Sequence, residues 1–344
     1  MNLNGLKLDE WFMGIQSFND FPNGINYPAK YTTISDKLNR WVHPFVNTGA
    51  MINKSGYLTD HGPAHIAMVI TRVTQLIADT AIILNPYEAF ILLMAIHIHD
   101  VGNILGRKKH EINANIIIKK LGSDIAGEDR IEWDYIYDIA SAHGGEDKDK
   151  ISKLPEGPEP IDEKTIRPQL LAALLKFADE LAENSSRADR FNLTMKNIPK
   201  KSKLYHEYAL CLNSVIPNPK NREISLYFII DYNKLCRKFL KLSNDGKKYE
   251  EVFLIDEIYL RTLKTHYERL YCMRFLRNSG LDIDKIRVNI TIRLRNGEKV
   301  TKGYDLIETG LSNLEIEDML KICPELNDWR GQKYCEKIST KTLS

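Results

Sequence analysis

The sequence predicts an α+β protein: a mostly helical bundle followed by a smaller C-terminal α/β appendage. Apolar residues recur with the helical period through about residue 191, and after Asn197 the period changes to two. There is no internal repeat or low-complexity tract. At 344 residues, 43% hydrophobic and 27% charged, the chain is ordinary for a globular protein, which excludes disordered and collagen-like readings. On a prior of roughly 150 residues per domain it has room for two.

Residues 1–58 carry the aromatic anchors Trp11, Phe12 and Trp41 among Asn, Gly and Pro turn signals. They predict short helices that pack onto the bundle, which spans 59–195. There, Thr59-Asp60-His61-Gly62 forms a turn and Pro63 takes the first helical position, where its missing N–H costs nothing. A stripe of Ile66, Val69, Ile70, Val73, Leu76 and Ile77 marks a helix from Ala64 to Ala81. Pro86 opens a second helix that runs to His99-Asp100, where Gly102 and Gly106 break it. A third covers His110 to Leu121 with Ile112, Ile116 and Ile117 expected inward, and a fourth covers about 129–142 and stops at Gly144-Gly145. The charged, Pro-rich stretch 146–163 is a surface loop, and 167–183, dense in Leu and Ala, is a fifth helix.

The appendage spans 196–344. Ile224, Leu226, Phe228 and Ile230 alternate with polar residues, as do Ile286, Val288, Ile290, Ile292 and Leu294, and both runs read as strands. Tyr208 to Val215 is a candidate third strand. Between the two runs, 251–278 reads as a long helix with Ile255, Tyr259, Leu263, Tyr267 and Leu270 on one face.

The formal charge of +2 hides an asymmetry, for Lys196 to Lys248 holds twelve Lys/Arg against four Asp/Glu. Such a segment can meet nucleic acid or polyphosphate, but a solvated face is the commoner explanation. A homo-oligomer, and a protein partner through the C-terminal domain, are further expectations. Five cysteines (Cys211, Cys236, Cys272, Cys323, Cys335) without a C-x-x-C pair suit reduced thiols that behave as small buried hydrophobes. The acidic N-terminus lacks a signal-peptide core, and the longest apolar run, Ala89 to Ile96, is far short of a membrane span. A cytoplasmic protein without membrane association is expected.

Six of the nine histidines fall between His61 and His143, and their placement at helix ends is informative. His65 lies in a first turn, His99-Asp100 at a helix end, His110 at a helix start, His143 at a helix end and Asp179 on the fifth helix. Side chains presented from the ends of packed helices can converge on one point. Imidazole with carboxylate is a ligand set suited to Zn, Mn, Fe or Ni. Adjacent His99 and Asp100 share a metal only at a distorted turn, which Gly102 permits. His61 stands four residues before His65, but Gly62-Pro63 puts it outside the helix, so it is expected to support the site or form the turn. His97 is expected in the core, and His43, His206 and His266 receive no role.

Three blocks in order, TDHGPAHIAMV, AIHIHDVGN and IRPQLLAALLKFADELAENSSR, resemble the HD metal-dependent phosphohydrolase superfamily over residues 59 to about 191. The narrower likeness is to bacterial HD proteins with an added C-terminal α/β segment, some linked to signalling or defence modules. The resemblance implies an all-helical bundle in which His65, His99, Asp100 and Asp179 bind a divalent metal (Mn, Mg, Fe, Co, Ni or Zn). His110 and His143 fall where binuclear members place two further histidines, which would complete a second metal site or act as phosphate donors or general acid. One or two ions per chain are therefore expected, with Asp100, His110 and His143 as the catalytic set.

A metal there would lower the pKa of water toward 7 and polarise a phosphoryl oxygen. Arg107, Lys108 and Lys109, just after the HD turn, and Arg187 are candidate phosphate contacts, with Arg190 a weaker one. Asn103, and the lack of a G-Y-P motif near Ala142-His143-Gly144-Gly145, depart from the cyclic-dinucleotide phosphodiesterase branch, so cyclic-di-GMP is not the expected substrate. The expected function is hydrolysis of a nucleotide, as a deoxynucleoside triphosphate triphosphohydrolase or a nucleotide phosphodiesterase. The alternative is a nucleotide-sensing module that regulates a partner with little turnover.

Overall fold

The computed structural model describes residues 3–46, 59–121, 130–145, 147, 149–243 and 248–308. Its helices follow the periodicity: α1 (Leu8–Met13), α2 (Tyr27–Trp41), α3 (Pro63–Ile77), α4 (Pro86–Ile98), α5 (His110–Leu121), α6 (Arg130–Ser141) and α7 (Pro168–Leu181). Proline opens α3, α4 and α7, and Asn85 with Glu88 forms a reciprocal cap at the start of α4. Helix α4 is buried from Tyr87 to Ile98, so its residues are apolar on every side. The window Pro86–Leu105 is long and apolar enough to cross a bilayer, but 89% of it is buried among the other elements as the axis of the bundle.

Phe12 anchors the N-terminal segment as expected, packed edge-on against Phe21 and Tyr31. Trp41 does not, being 58% exposed. In α5 the inward residues are His110, Glu111, Ala114 and Ile118, whereas Ile112 and Ile116, expected inside, are exposed. The helix begins at a polar site, so its buried face starts with charged and imidazole groups rather than aliphatic ones. The expected loop after α6 contains a short antiparallel hairpin, β1 (Glu159–Ile161) with β2 (Lys164–Ile166).

In the C-terminal region, helix α8 (Lys200–Cys211) precedes β3 (Leu212–Asn218). The strand expected from Tyr208 therefore starts four residues later, and Tyr208 to Cys211 are helical. A four-stranded sheet follows in the order β3, β4 (Glu223–Asp231), β7 (Lys285–Arg293) and β8 (Lys299–Ile307). The two runs read as strands from alternation, β4 and β7, pair in parallel with Leu226 opposite Val288 and Phe228 opposite Ile290. The crossover between them contains the hairpin β5 (Lys238–Leu242) with β6 (Tyr249–Phe253), then helix α9 (Leu254–Leu276).

Helix α9 lies against α7, but not by the face that hydropathy selects. Tyr259 and Tyr267 are 50% and 61% exposed, while Ile258, Thr262, Thr265, Arg269, Cys272 and Met273 are buried. Several of the inner polar groups are bonded internally. Arg269 Nη1 donates to the Ile283 carbonyl at 2.7 Å, and Thr262 Oγ1 meets the Tyr304 hydroxyl at 2.7 Å. Of the described cysteines, Cys211 and Cys272 are buried as expected and Cys236 is exposed; Cys323 and Cys335 lie outside the described residues. Within the basic segment, Lys220, Arg222, Lys234, Lys238, Lys241 and Lys248 each have a carboxylate partner.

Arg72 joins the helical bundle to the sheet. Buried on α3, it donates from Nε to the Leu181 carbonyl at 2.9 Å and from Nη1 to the Val215 carbonyl at 2.8 Å. Arg72→Met keeps the apolar stem but leaves both carbonyls without this donor. It should lower unfolding stability by about 1–3 kcal/mol per orphaned group. Urea unfolding of the variant beside Gln75→Ala, which keeps both bonds, checks this.

Candidate metal centre

The site assembles where five helices end or begin. His65 is in the first turn of α3, His99 caps α4, His110 opens α5, and His143 follows α6. Asp179 sits in the last turn of α7. Adjacent side chains on a regular helix point about 100° apart. After His99, however, Asp100 leaves helical geometry (φ −105°, ψ 1°), and Val101–Leu105 tightens into a 3₁₀ turn. That turn presses on the start of α5. A Cβ on Gly102 would lie 1.8 Å from the His110 carbonyl oxygen, so only glycine lets the HD turn and the His110 helix meet.

Asp100 is the shared centre. Its Oδ2 lies 3.4 Å from His99 Nε2 and 3.6 Å from His65 Nε2. Asp179 Oδ1 completes this group at 3.1 Å from His65 Nε2 and 3.6 Å from His99 Nε2. On the other side, Asp100 Oδ1 lies 3.3 Å from His110 Nε2 and 3.8 Å from His143 Nε2. Each group offers ligand atoms within 4.8 Å of one another: His65, His99, Asp100 and Asp179 in one, Asp100, His110 and His143 in the other.

The imidazoles are oriented as ligands. His99, His110 and His143 contact the carbonyls of Ile96, Arg107 and Ala140 through Nδ1 at 2.7, 3.1 and 2.6 Å. Nδ1–H donation to these carbonyls leaves Nε2 facing the centre, the arrangement that fixes a metal-binding tautomer. A mixed nitrogen and oxygen set with two carboxylates fits a divalent transition ion.

Protonation follows from burial and neighbours. Burial, reinforced by nearby positive groups, pushes His65, His110 and His143 below the ordinary imidazole value. Burial also opposes a charge on His99, but the Asp100 and Asp179 carboxylates outweigh it and raise its pKa to about 10. Burial would raise the Asp100 and Asp179 carboxyls, yet the surrounding imidazoles hold both well below the carboxylate range. In the metal-free protein a proton on His99 therefore stands where a cation is called for.

The remaining expected residues divide. Arg107 lines the cavity beside Asp100, with Nη1 3.6 Å from Asp100 Oδ1. Arg187 also lines it, donating to the Asp60 carbonyl at 2.8 Å and to Glu183 at 3.3 Å. Lys108 and Lys109 are exposed on the turn before α5 and are not among the residues lining this cavity. Arg190 lines a separate depression against α8 and β4.

His61 supports the site through hydrogen bonds. Its Nδ1–H donates to Asp100 Oδ2 at 2.8 Å, while Arg187 Nη2 donates to its Nε2 at 3.2 Å. Three supports were not read from sequence. Asn103 donates to Asp100 Oδ1 at 2.8 Å, Lys176 donates to the His143 carbonyl at 2.8 Å, and Glu111 lies 3.4 Å from His110 Nδ1. Asn103, three residues past Asp100, had a usable signal in its spacing; Lys176 had none. His97 is buried and stacks on His43, and its Nε2 contacts the Tyr31 hydroxyl at 3.1 Å. His206 and His266 are buried, His206 contacting the Asp189 backbone and His266 lying beside Arg269.

A model of the HD-CE family matches residues 55–237 of the chain. No curated protein and no solved structure matches it.

The raised His99 pKa sets a linkage. Between about pH 7 and 9 the metal-free site carries this proton, and a bound ion must displace it. Titration with Mn or Zn in buffers of differing ionisation enthalpy should show about one proton released per first ion, with affinity falling roughly tenfold per pH unit on acidification. Asp179→Ala should remove the tightly held ion, read by elemental analysis. Heats independent of buffer would contradict the assignment of that proton.

Proposed function

The chain belongs to the HD-CE family, and from that premise we propose that it is a metal-dependent phosphohydrolase acting on a nucleotide. The observation that carries the reading is Asp100, whose two oxygens face two ligand groups at the mouth of a cavity of about 420 Å³. Arg107 and Arg187 line the same cavity, so cationic groups stand beside the carboxylates where a phosphate would enter.

Metal bound there supplies a Lewis acid and an acidified water. The chain's own residues do the rest. His65, His99, Asp100 and Asp179 would hold and orient the primary ion through their inward Nε2 and carboxylate oxygens. Arg107 and Arg187 neutralise phosphate oxygens and set the ester's orientation. His110 and His143, 3.1 Å apart between their Nε2 atoms, would complete a second ion's coordination with Asp100; a general-acid role would instead require one of them to take up a proton at Nε2 first. Burial keeps both imidazoles neutral near pH 7, as a metal ligand requires.

A panel of nucleoside mono-, di- and triphosphates and linear and cyclic phosphodiesters, assayed with Mn, Mg, Co and Ni, tests the reading. Release of triphosphate would identify a triphosphohydrolase, and release of a monoester from a diester a phosphodiesterase. Asp100→Ala should abolish turnover. His110→Ala and His143→Ala should lower it by about 100-fold or more while the primary ion stays bound. Nucleotide binding without turnover under every metal would instead make the chain a nucleotide sensor.

A further inference from the structure

The cavity beside the metal centre has two chemically different halves. One half is the polar mouth just described. The other is built outside the helical bundle, by Tyr205 and Tyr208 of α8, Leu212 and Val215 of β3, Leu226 of β4 and Arg261 of α9. A site for phosphate alone needs donors and cations. It has no use for a wall of aromatic and aliphatic side chains, which stabilises a ligand only by covering an apolar or planar body.

Within that wall, Arg261 and Tyr205 form a prepared surface. The Arg261 guanidinium lies 5.4 Å from the Tyr205 ring centroid and 5.0 Å from that of Tyr208. From behind, Glu257 fixes it by accepting from Nε at 2.9 Å, and Lys241 pairs with the same carboxylate. The terminal nitrogens of Arg261 have no hydrogen-bond partner among the described residues. Tyr205 is half-buried and lines the cavity. Both groups are planar, and planar aromatic and guanidinium faces are the surfaces on which nucleobases stack.

The spacing suits one ligand spanning both halves. Asp179 of the ligand group is followed on α7 by Glu180, which accepts from Thr265 of α9 at 2.8 Å. Thr265 lies one helical turn, about 5.4 Å, from Arg261 on α9, so α7 and α9 bring the two halves together along one cavity wall. We propose that Tyr205 and Arg261 form a nucleobase subsite, so that the C-terminal region reads the base of the nucleotide whose phosphate the helical bundle holds. The inference rests on the phosphohydrolase reading and assigns α8 and α9 a direct part in substrate selection.

Equilibrium dialysis of the metal-loaded full-length protein tests it, with ligand integrity checked by chromatography. The probes are adenosine and guanosine 5′-monophosphate, methyl phosphate, which has the ester but no base, and inorganic triphosphate. Wild type should bind the nucleotides at least about tenfold more tightly than methyl phosphate, the range expected for a stacked base. Tyr205→Ala should erase most of that preference and leave methyl phosphate affinity unchanged, whereas Tyr205→Phe should retain it. Arg261→Gln should weaken the nucleotides alone.

The inference is overturned, and the phosphohydrolase reading left standing, if wild type binds nucleotides and methyl phosphate alike. Equal loss of methyl phosphate and nucleotide binding in Tyr205→Ala overturns it too. Weakening of inorganic triphosphate by Arg261→Gln as large as that of the nucleotides would make the wall a second phosphate subsite instead. Failure of every phosphate probe to bind the metal-loaded wild type would overturn both readings.

Discussion

Everything near the centre answers to one constraint, the burial of the Asp100 carboxylate. A charge removed from water costs several kcal/mol unless it is paired and hydrogen-bonded. Only 3% of Asp100 is exposed, and its two oxygens are surrounded by His61, His65, His99, Asn103, His110 and His143. No single helix could bring these together. Four helix termini converge there instead, because a terminus is where a chain can turn a side chain inward without clashing with the next turn. The tight turn after His99 is the local cost of that convergence, and Gly102 makes it tolerable by letting the turn touch the His110 backbone.

The same constraint explains why the neutral imidazoles and the charged one are distributed as they are. His99 faces both carboxylates, which raise its pKa to about 10, while burial, helped by nearby positive or imidazole groups, lowers that of His65, His110 and His143. Two carboxylates and several inward Nε2 atoms offer more donors than one proton can use, a state that favours a divalent cation over a proton. The family match and the donor geometry therefore agree for a physical reason: this arrangement is unfavourable as a purely structural core.

Much of this was legible in the sequence, and the rest was hidden for identifiable reasons. His65, His99-Asp100 and Asp179 stand out because charged and imidazole groups interrupt helices that are otherwise apolar, with proline and glycine marking the ends. The alternation at Ile224–Ile230 and Ile286–Ile290 identified both parallel strands, since buried β-residues repeat every two positions. Helix faces were read less well. Ile116 in α5 and Tyr259 in α9 look like core residues by hydropathy, but the inward faces belong to His110 and Glu111 in one and to Thr262 and Arg269 in the other. Buried polar groups that satisfy one another over long sequence separations leave no periodic signal. Proximity along the chain misled in a similar way: Lys108 and Lys109 adjoin the HD turn yet point to solvent, while Arg187, far away in sequence, reaches the site.

The C-terminal α/β region bears directly on the candidate metal site. Helix α7 carries Asp179 and is gripped from both sides. Arg72 of α3 holds the Leu181 carbonyl at its end, and on the other side Thr265 of α9 donates to Glu180 at 2.8 Å. Lys176 of α7 donates to the His143 carbonyl and pairs with Glu268 of α9 at 3.2 Å. The last helix of the bundle is thus positioned by bonds to Arg72 and to α9 as well as by its own apolar stripe. A shift of α9 would be felt by Asp179 and His143, and displacement of either would open the ligand cluster around Asp100. The ligand cluster and the far wall of the cavity are consequently tied together, because the helix that presents the Asp179 carboxylate also carries the Glu180 and Lys176 contacts to α9.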